Sequence, residues 1–123
     1  MPGCILIVDD DPNIRRRVRE FFETETRYDV CGEAVDGTDA IEKARILNPD
    51  LIILDMSMPR MNGLDAARIL NQMMSDVPII LFTMHASALL LSEVQAAGIR
   101  SIVSKADGLG GLATEVESLL ESV

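Results

Sequence analysis

The chain has 123 residues, 48% of them apolar, and a formal net charge of −9, the scale of one compact domain covering 1–123, able to bury about two-thirds of its unfolded surface. That acidity argues against direct nucleic-acid binding or an anionic-membrane surface, because phosphate groups are gathered by clustered Lys and Arg. No apolar run approaches the roughly 20 residues that span a bilayer, and the opening MPGCILIVDD lacks a signal-peptide pattern, so a soluble cytoplasmic protein is expected.

Taken in order, short apolar runs alternate with segments of helical period. CILIV at 4–8 reads as a strand, and DDDPN then opens a helix with Asp11 as N-cap and Pro12 at its first position. Ile14, Val18, Phe21 and Phe22 form the apolar stripe of that helix, and its arginines Arg15, Arg16, Arg17 and Arg19 read as a solvated face, with partner docking as the alternative. DVCGEAV at 29–35 is a more polar strand. A helix carrying Ala40, Ile41, Ala44 and Leu47 follows and stops at Asn48-Pro49.

LIIL at 51–54 is the third strand, followed by a helix with Ala66, Ala67, Leu70 and either Met73 or Met74 facing inward. VPIILF at 77–82 and IRSIV at 99–103 complete five strands, separated by a helix with Leu90, Val94 and Ala97 on one face that Gly98 ends. Leu112, Val116, Leu119, Leu120 and Val123 mark the last helix. Cys4 and Cys31 fall in strands, with no CxxC spacing and no nearby histidine, so reduced, buried thiols are expected.

Four strands are almost continuously apolar, as parallel strands covered on both faces must be, whereas the polar second strand suits an edge. Alternating strands and helices with right-handed crossovers predict a doubly wound (βα)5 α/β three-layer sandwich with a parallel sheet of order 2-1-3-4-5. Ligands of such sheets bind beyond the carboxyl ends of the central strands. The strand ends carry Asp9, Asp10 and Asp11, then Asp55, Thr83 and Lys105.

Two carboxylates about 4 Å apart repel by roughly 4 kcal/mol at an effective dielectric of 20, so an apolar sheet end tolerates them only with compensation. A magnesium ion fits, since it takes one or two carboxylates, several waters and a phosphate oxygen. Asp9, Asp10 and Asp55 can supply such ligands. A carboxylate can also attack phosphorus when cations neutralise the transferring group; Lys105 is such a cation, and Thr83 can donate to a phosphoryl oxygen.

These residues, IVDDDP at 7–12, Asp55 with the following MSMPRMNG, Thr83 and Lys105, resemble the response-regulator receiver domain over nearly the whole chain. The resemblance implies a flavodoxin-like fold and a phosphorylation-dependent switch of two-component systems. It further implies that Asp55 accepts phosphate from a histidine kinase or phosphotransfer protein. Asp9, Asp10, Asp55 and the backbone carbonyl of Ser57 would hold Mg2+, with Thr83 and Lys105 on the phosphoryl group. Readout would use the fourth helix, fifth strand and fifth helix, and no enzymatic turnover beyond self-phosphorylation and self-dephosphorylation is implied.

Several positions depart from that pattern. Ile102 stands where the family usually has an aromatic switch residue, so signal transmission by backbone shift of the loop after Thr83 is expected. Met84 replaces a small residue and is expected either to restrict access or to fill a helix-facing gap. Ser57 and His85 lie where the family tunes phosphoaspartate lifetime; His85 is expected either to orient water or simply to face solvent. Ala106 replaces a common proline, so a trans bond and a rearranged loop are expected. Leu89, Leu90 and Leu91 span about 200° of a helix, so at least one must be exposed, which suggests a homodimer through the fourth and fifth helices or a protein target.

Three other readings compete. A phosphohydrolase would need a substrate-covering insertion that the sequence lacks. A flavin or nucleotide module would need a first loop less acidic than DDDPN. A receiver-like module that binds partners without phosphorylation is the third, and an output domain elsewhere in a longer protein is compatible with the first reading.

Overall fold

The computed structural model describes residues 3–84, 86 and 91–121. Strands β1 (Cys4–Val8), β2 (Asp29–Ala34), β3 (Leu51–Leu54), β4 (Ile79–Thr83) and β5 (Ser101–Ser104) alternate with helices α1 (Pro12–Glu25), α2 (Gly37–Leu47), α3 (Gly63–Met73), α4 (Leu91–Ala96) and α5 (Leu109–Leu120). The strands form one parallel sheet of order β2-β1-β3-β4-β5. The polar second strand lies at the edge, as its composition predicts.

Two apolar clusters sandwich the sheet. Leu6, Val8, Ile52, Leu54, Ile79 and Leu81 face α2, α3 and α4 through Ala40, Ala44, Ala66, Ala67, Leu70 and Val94, with Ala97 packed in just past α4. The alternate strand residues Ile5, Ile7, Leu51, Ile53, Ile80, Phe82 and Val103 meet Val18, Phe22, Leu112 and Val116 of α1 and α5. Met74 packs inward while Met73 is exposed. Leu90 and Val123 lie outside the described residues.

Helix ends follow the chemistry of their capping residues. Asp11 accepts from the Asn13 N–H ahead of Pro12, and Asp36 and Asn62 accept from Asp39 and Asp65 in the same way. Asn48 adopts the left-handed conformation (φ 48°) and closes α2 by donating to the Ala44 carbonyl. Gly98 (φ 82°) follows α4, where any Cβ would lie 2.3 Å from the Asn71 side chain.

Two boundaries shift by a few residues. Pro78 has no N–H, and the Val77 N–H is spent on the Met74 carbonyl, so β4 begins at Ile79 and runs to Thr83, which pairs with Ser104. Ile99 bonds back to Val94 and leaves β5 to start later. The Lys105–Ala106 bond is trans, and the chain turns through a 3-10 turn over Lys105–Asp107, with Ser104 Oγ accepting from the Ala106 N–H.

The cysteine expectation is overturned: Cys4 and Cys31 form a disulfide. The pairing of β1 with β2 slips by one residue between Ile5 and Leu6, where Val30 and Gly32 are the respective partners. Cys31 is thus an extra residue in a bulge. Val30 packs on the α1 side while Gly32 faces Leu47 of α2, so the bulge changes which face the strand presents and brings Cys31 to Cys4, with 5.4 Å between their Cα atoms. A sequence read with strict period two does not reveal that pairing.

The arginine run is also divided. Arg16 and Arg17 are exposed, but Arg15 and Arg19 both grip Glu33 of the edge strand, at 3.0 and 2.6 Å. Burial alone would push the Glu33 carboxyl up; the hydrogen bonds from Arg19 and Arg15 outweigh it and hold the group below its ordinary value.

Candidate functional site

Backbone ladders carry the acidic residues to one rim. The Asp9 N–H bonds to the Ala34 carbonyl and the Asp55 N–H to the Val8 carbonyl, so both residues extend strand pairing by one step before the chain leaves the sheet. Both residues are buried, an arrangement that needs balancing charge. Asp10, next to Asp9, is exposed. Among the described residues, oxygens of Asp9, Asp10 and Asp55 all lie within 4.8 Å of one another.

Lys105 enters this cluster from the end of β5. Its Nζ donates to Asp9 Oδ2 at 2.7 Å and to Asp55 Oδ1 at 3.2 Å, with the Phe82 ring centroid 5.9 Å away. Asp9 Oδ1 accepts from the Asp11 N–H at 2.9 Å, so each of its oxygens is engaged. Burial, then the neighbouring Asp9 charge, raises the Asp55 carboxyl above its ordinary value despite Lys105. Burial lowers the Lys105 ammonium, but its bond to Asp9 and the charges of both carboxylates outweigh this and hold it above the ordinary value.

Three carboxylates against one ammonium leave two negative charges uncompensated. A hard divalent cation with oxygen ligands matches that deficit. The donor set therefore fits Mg2+, and Asp9 and Asp55 are already drawn together by the ammonium.

Thr83 is buried at the end of β4, on the same rim because β4 ends beside β3 and β5. Ser57 is exposed on the loop after Asp55. Met84 is 61% exposed and borders a cleft of about 210 Å³ with Lys105, Ile14, Arg17, Val18 and Leu109, so it sits on the α1 side of the site. Ile102 is half-buried and packs with the opposite cluster beside α4. His85, Leu89 and Leu90 fall outside the described residues; Leu91 is 64% exposed.

The sequence did not single out two supports of the site. Arg15 Nη1 donates to the Asp9 carbonyl at 2.8 Å, tying α1 to the acidic loop. Arg60, in the loop after Asp55, bonds to the buried Asp36 carboxylate at the start of α2. Both use an ordinary surface residue type, and the Arg60–Asp36 pair joins residues 24 apart in sequence. The one local signal is Asp36-Gly37, a helix-start pair.

The profile of the response regulator receiver domain family matches residues 5–117. The response regulator UvrY of Escherichia coli K12 is 36% identical over 119 residues, covering 97% of this chain and 53% of that protein. A protein-glutamate methylesterase/protein-glutamine glutaminase of Nocardioides sp. is 32% identical over 126 residues, covering 100% of this chain and 34% of that protein. The chain thus spans about half or less of the length of these curated relatives. The structure of the response regulator protein TrrA from Thermotoga maritima, solved in complex with Mg2+–BeF, superposes with a TM-score of 0.84 at 33% identity, covering 97% of this chain and 99% of that one. No helix among the described residues is long and apolar enough to cross a membrane. With its acidic triad, its convergent lysine and a family match across nearly its full length, the chain belongs to the response regulator receiver domains, the phosphorylation-competent modules of two-component signalling relays.

Proposed function

We propose that Asp55 is the phosphoacceptor of a cytoplasmic two-component switch, charged by a histidine kinase or a histidine phosphotransfer protein. The carrying observation is the meeting of Asp9, Asp10 and Asp55 within 4.8 Å, bridged by Lys105. An Asp55 carboxylate oxygen forms the new bond to phosphorus as the bond from phosphorus to the donor histidine nitrogen breaks, and the nitrogen keeps that electron pair. Asp9, Asp10, Asp55 and the Ser57 backbone carbonyl would hold Mg2+, which when bound neutralises charge on the transferring phosphoryl group. Lys105 is placed to exchange a carboxylate partner for a phosphoryl oxygen, and the Thr83 hydroxyl to donate to another.

The relay would leave through α4, β5 and α5. Ile102 has no ring to swing, so the reading assigns transmission to a backbone shift after Thr83. Exposed Leu91 supports a protein contact on that face, either a second copy or an output domain or target. The different full-length relatives are compatible with several outputs.

The test is intact-mass measurement after incubation with acetyl phosphate. With Mg2+ the chain should gain one phosphoryl group on the peptide containing Asp55; without Mg2+ it should gain almost none. A chain that stays unmodified under both conditions favours the second reading, a phosphorylation-independent interaction module, which Ile102 and Met84 suggest. Met84 and Lys105 border one cleft, so Met84 is assigned to access, with Ser57 and His85 tuning the lifetime. Met84→Ala should speed both phosphorylation and hydrolysis severalfold in the same mass assay, and unchanged rates would remove Met84 from the scheme.

A further inference from the structure

We infer that Asp36 and Arg60 act as positioning residues for the metal, a latch holding the loop after β3 in the shape that presents Asp55 and the Ser57 carbonyl; this rests on the metal reading above. The Asp36 side chain is 3% exposed, and a buried carboxylate persists only where its oxygens are engaged. Oδ1 accepts from the Asp39 N–H at 2.8 Å, and Oδ2 accepts from Arg60 Nε at 2.8 Å and also from Nη2.

Arg60 reaches this partner from a backbone with φ 67°, a region that a long side chain occupies only when its surroundings hold it there. The same two loops touch a second time, because a Cβ added to Gly37 would lie 2.8 Å from the Met61 side chain. Since β1 lies between β2 and β3, the pair straddles the strand that delivers Asp9. Inside the loop, the Gly63 N–H bonds to the Met56 carbonyl at 2.8 Å, and a Cβ on Gly63 would lie 2.3 Å from the Asp55 carbonyl oxygen. Those contacts fix the loop ends, Met56 and Gly63. Among the described residues, Arg60 ties its middle to another element by a charged bond.

The experiment compares the parent chain, Arg60→Asn, Asp36→Asn and the double variant by calorimetric Mg2+ titration, and by amide hydrogen exchange across 57–61 without metal. Asn tolerates positive φ at position 60, and Asn at position 36 keeps the oxygen that caps α2, so both variants should fold. The Mg2+ dissociation constant should rise about tenfold in each single variant, as for other residues that orient metal ligands, with little further rise in the double variant. Loop exchange should quicken severalfold, and phosphorylation at saturating Mg2+ should stay within about twofold of the parent, because the reacting groups are intact. Variants with the parent's Mg2+ affinity and loop exchange would overturn the latch alone. A parent that binds no Mg2+ would overturn the metal reading and the latch with it.

Discussion

Asp55→Asn is expected to accept no phosphoryl group and, free of metal, to melt above the parent chain. The first half follows from chemistry: an amide oxygen is a poor nucleophile, and no other carboxylate replaces Asp55 at the end of β3. The second half follows from burial. The Asp55 carboxyl is raised by its enclosure and by Asp9, so between its unfolded value, about 3.9, and its higher folded value the native state binds more protons than the unfolded chain. Stability present below the unfolded value is therefore lost as pH rises through the folded one, and at neutral pH the ionised group weighs against the metal-free fold. Asparagine removes the charge but keeps an oxygen for Lys105. For a chain of this size each kcal/mol recovered raises the melting temperature by about 3–6 °C. Thermal melts with and without Mg2+ read both sides: the variant should melt higher in metal-free buffer and gain less from added Mg2+. An equal or lower metal-free melting point would show that the charge cluster carries no strain.

Lys105→Ala should act in the opposite direction and with larger effect. The ammonium is shared by Asp9 and Asp55, whose side chains are 4% and 8% exposed, and removing one partner of a buried ion pair typically costs about 3–5 kcal/mol because the remaining charge is left unmatched. Asp10 opens one side of the cluster to water, which places the expectation near 3 kcal/mol, a fall in melting temperature on the order of 10 °C. A ligand that binds only the folded state stabilises it by mass action. Mg2+ at saturating concentration should therefore recover most of the loss, and its stabilising effect should be greater in this variant than in the parent. A variant that melts with the parent in metal-free buffer would mean that Lys105 does not balance the carboxylates.

The elements of the fold and the convergence of Asp9, Asp55 and Lys105 were legible because they rest on local patterns. CILIV and LIIL match β1 and β3 residue for residue, since continuous apolar runs between capping residues leave little choice of length. Asp9, Asp55 and Lys105 meet because each ends a strand of one parallel sheet, a relation that topology alone imposes. What was illegible depends on register and distant pairing. The Cys4–Cys31 bridge needs a one-residue slip that no spacing announces, and the Glu33 pairs with Arg15 and Arg19 need α1 packed across the edge strand. Arg60 has the appearance of an ordinary loop cation until Asp36 is seen buried beside it. Met84 was legible as a departure, but its position on the α1 side depends on a cleft shared with Ile14, Arg17 and Val18 that no local pattern announces.

The Cys4–Cys31 bond also has a topological effect. Its ends are 27 residues apart, and the covalent ring they close contains all of α1 together with Asp9, Asp10 and Asp11. Closing a loop of that length restricts the denatured ensemble by about 3–4 kcal/mol in the chain-entropy view. The oxidised, denatured polypeptide therefore keeps one portion of the acidic pocket cyclised, while Asp55 and Lys105 belong to the free linear remainder. Recovery of the pocket is then the docking of a tail onto a pre-tethered loop, and reduction of the bond turns it back into a search by three independent segments.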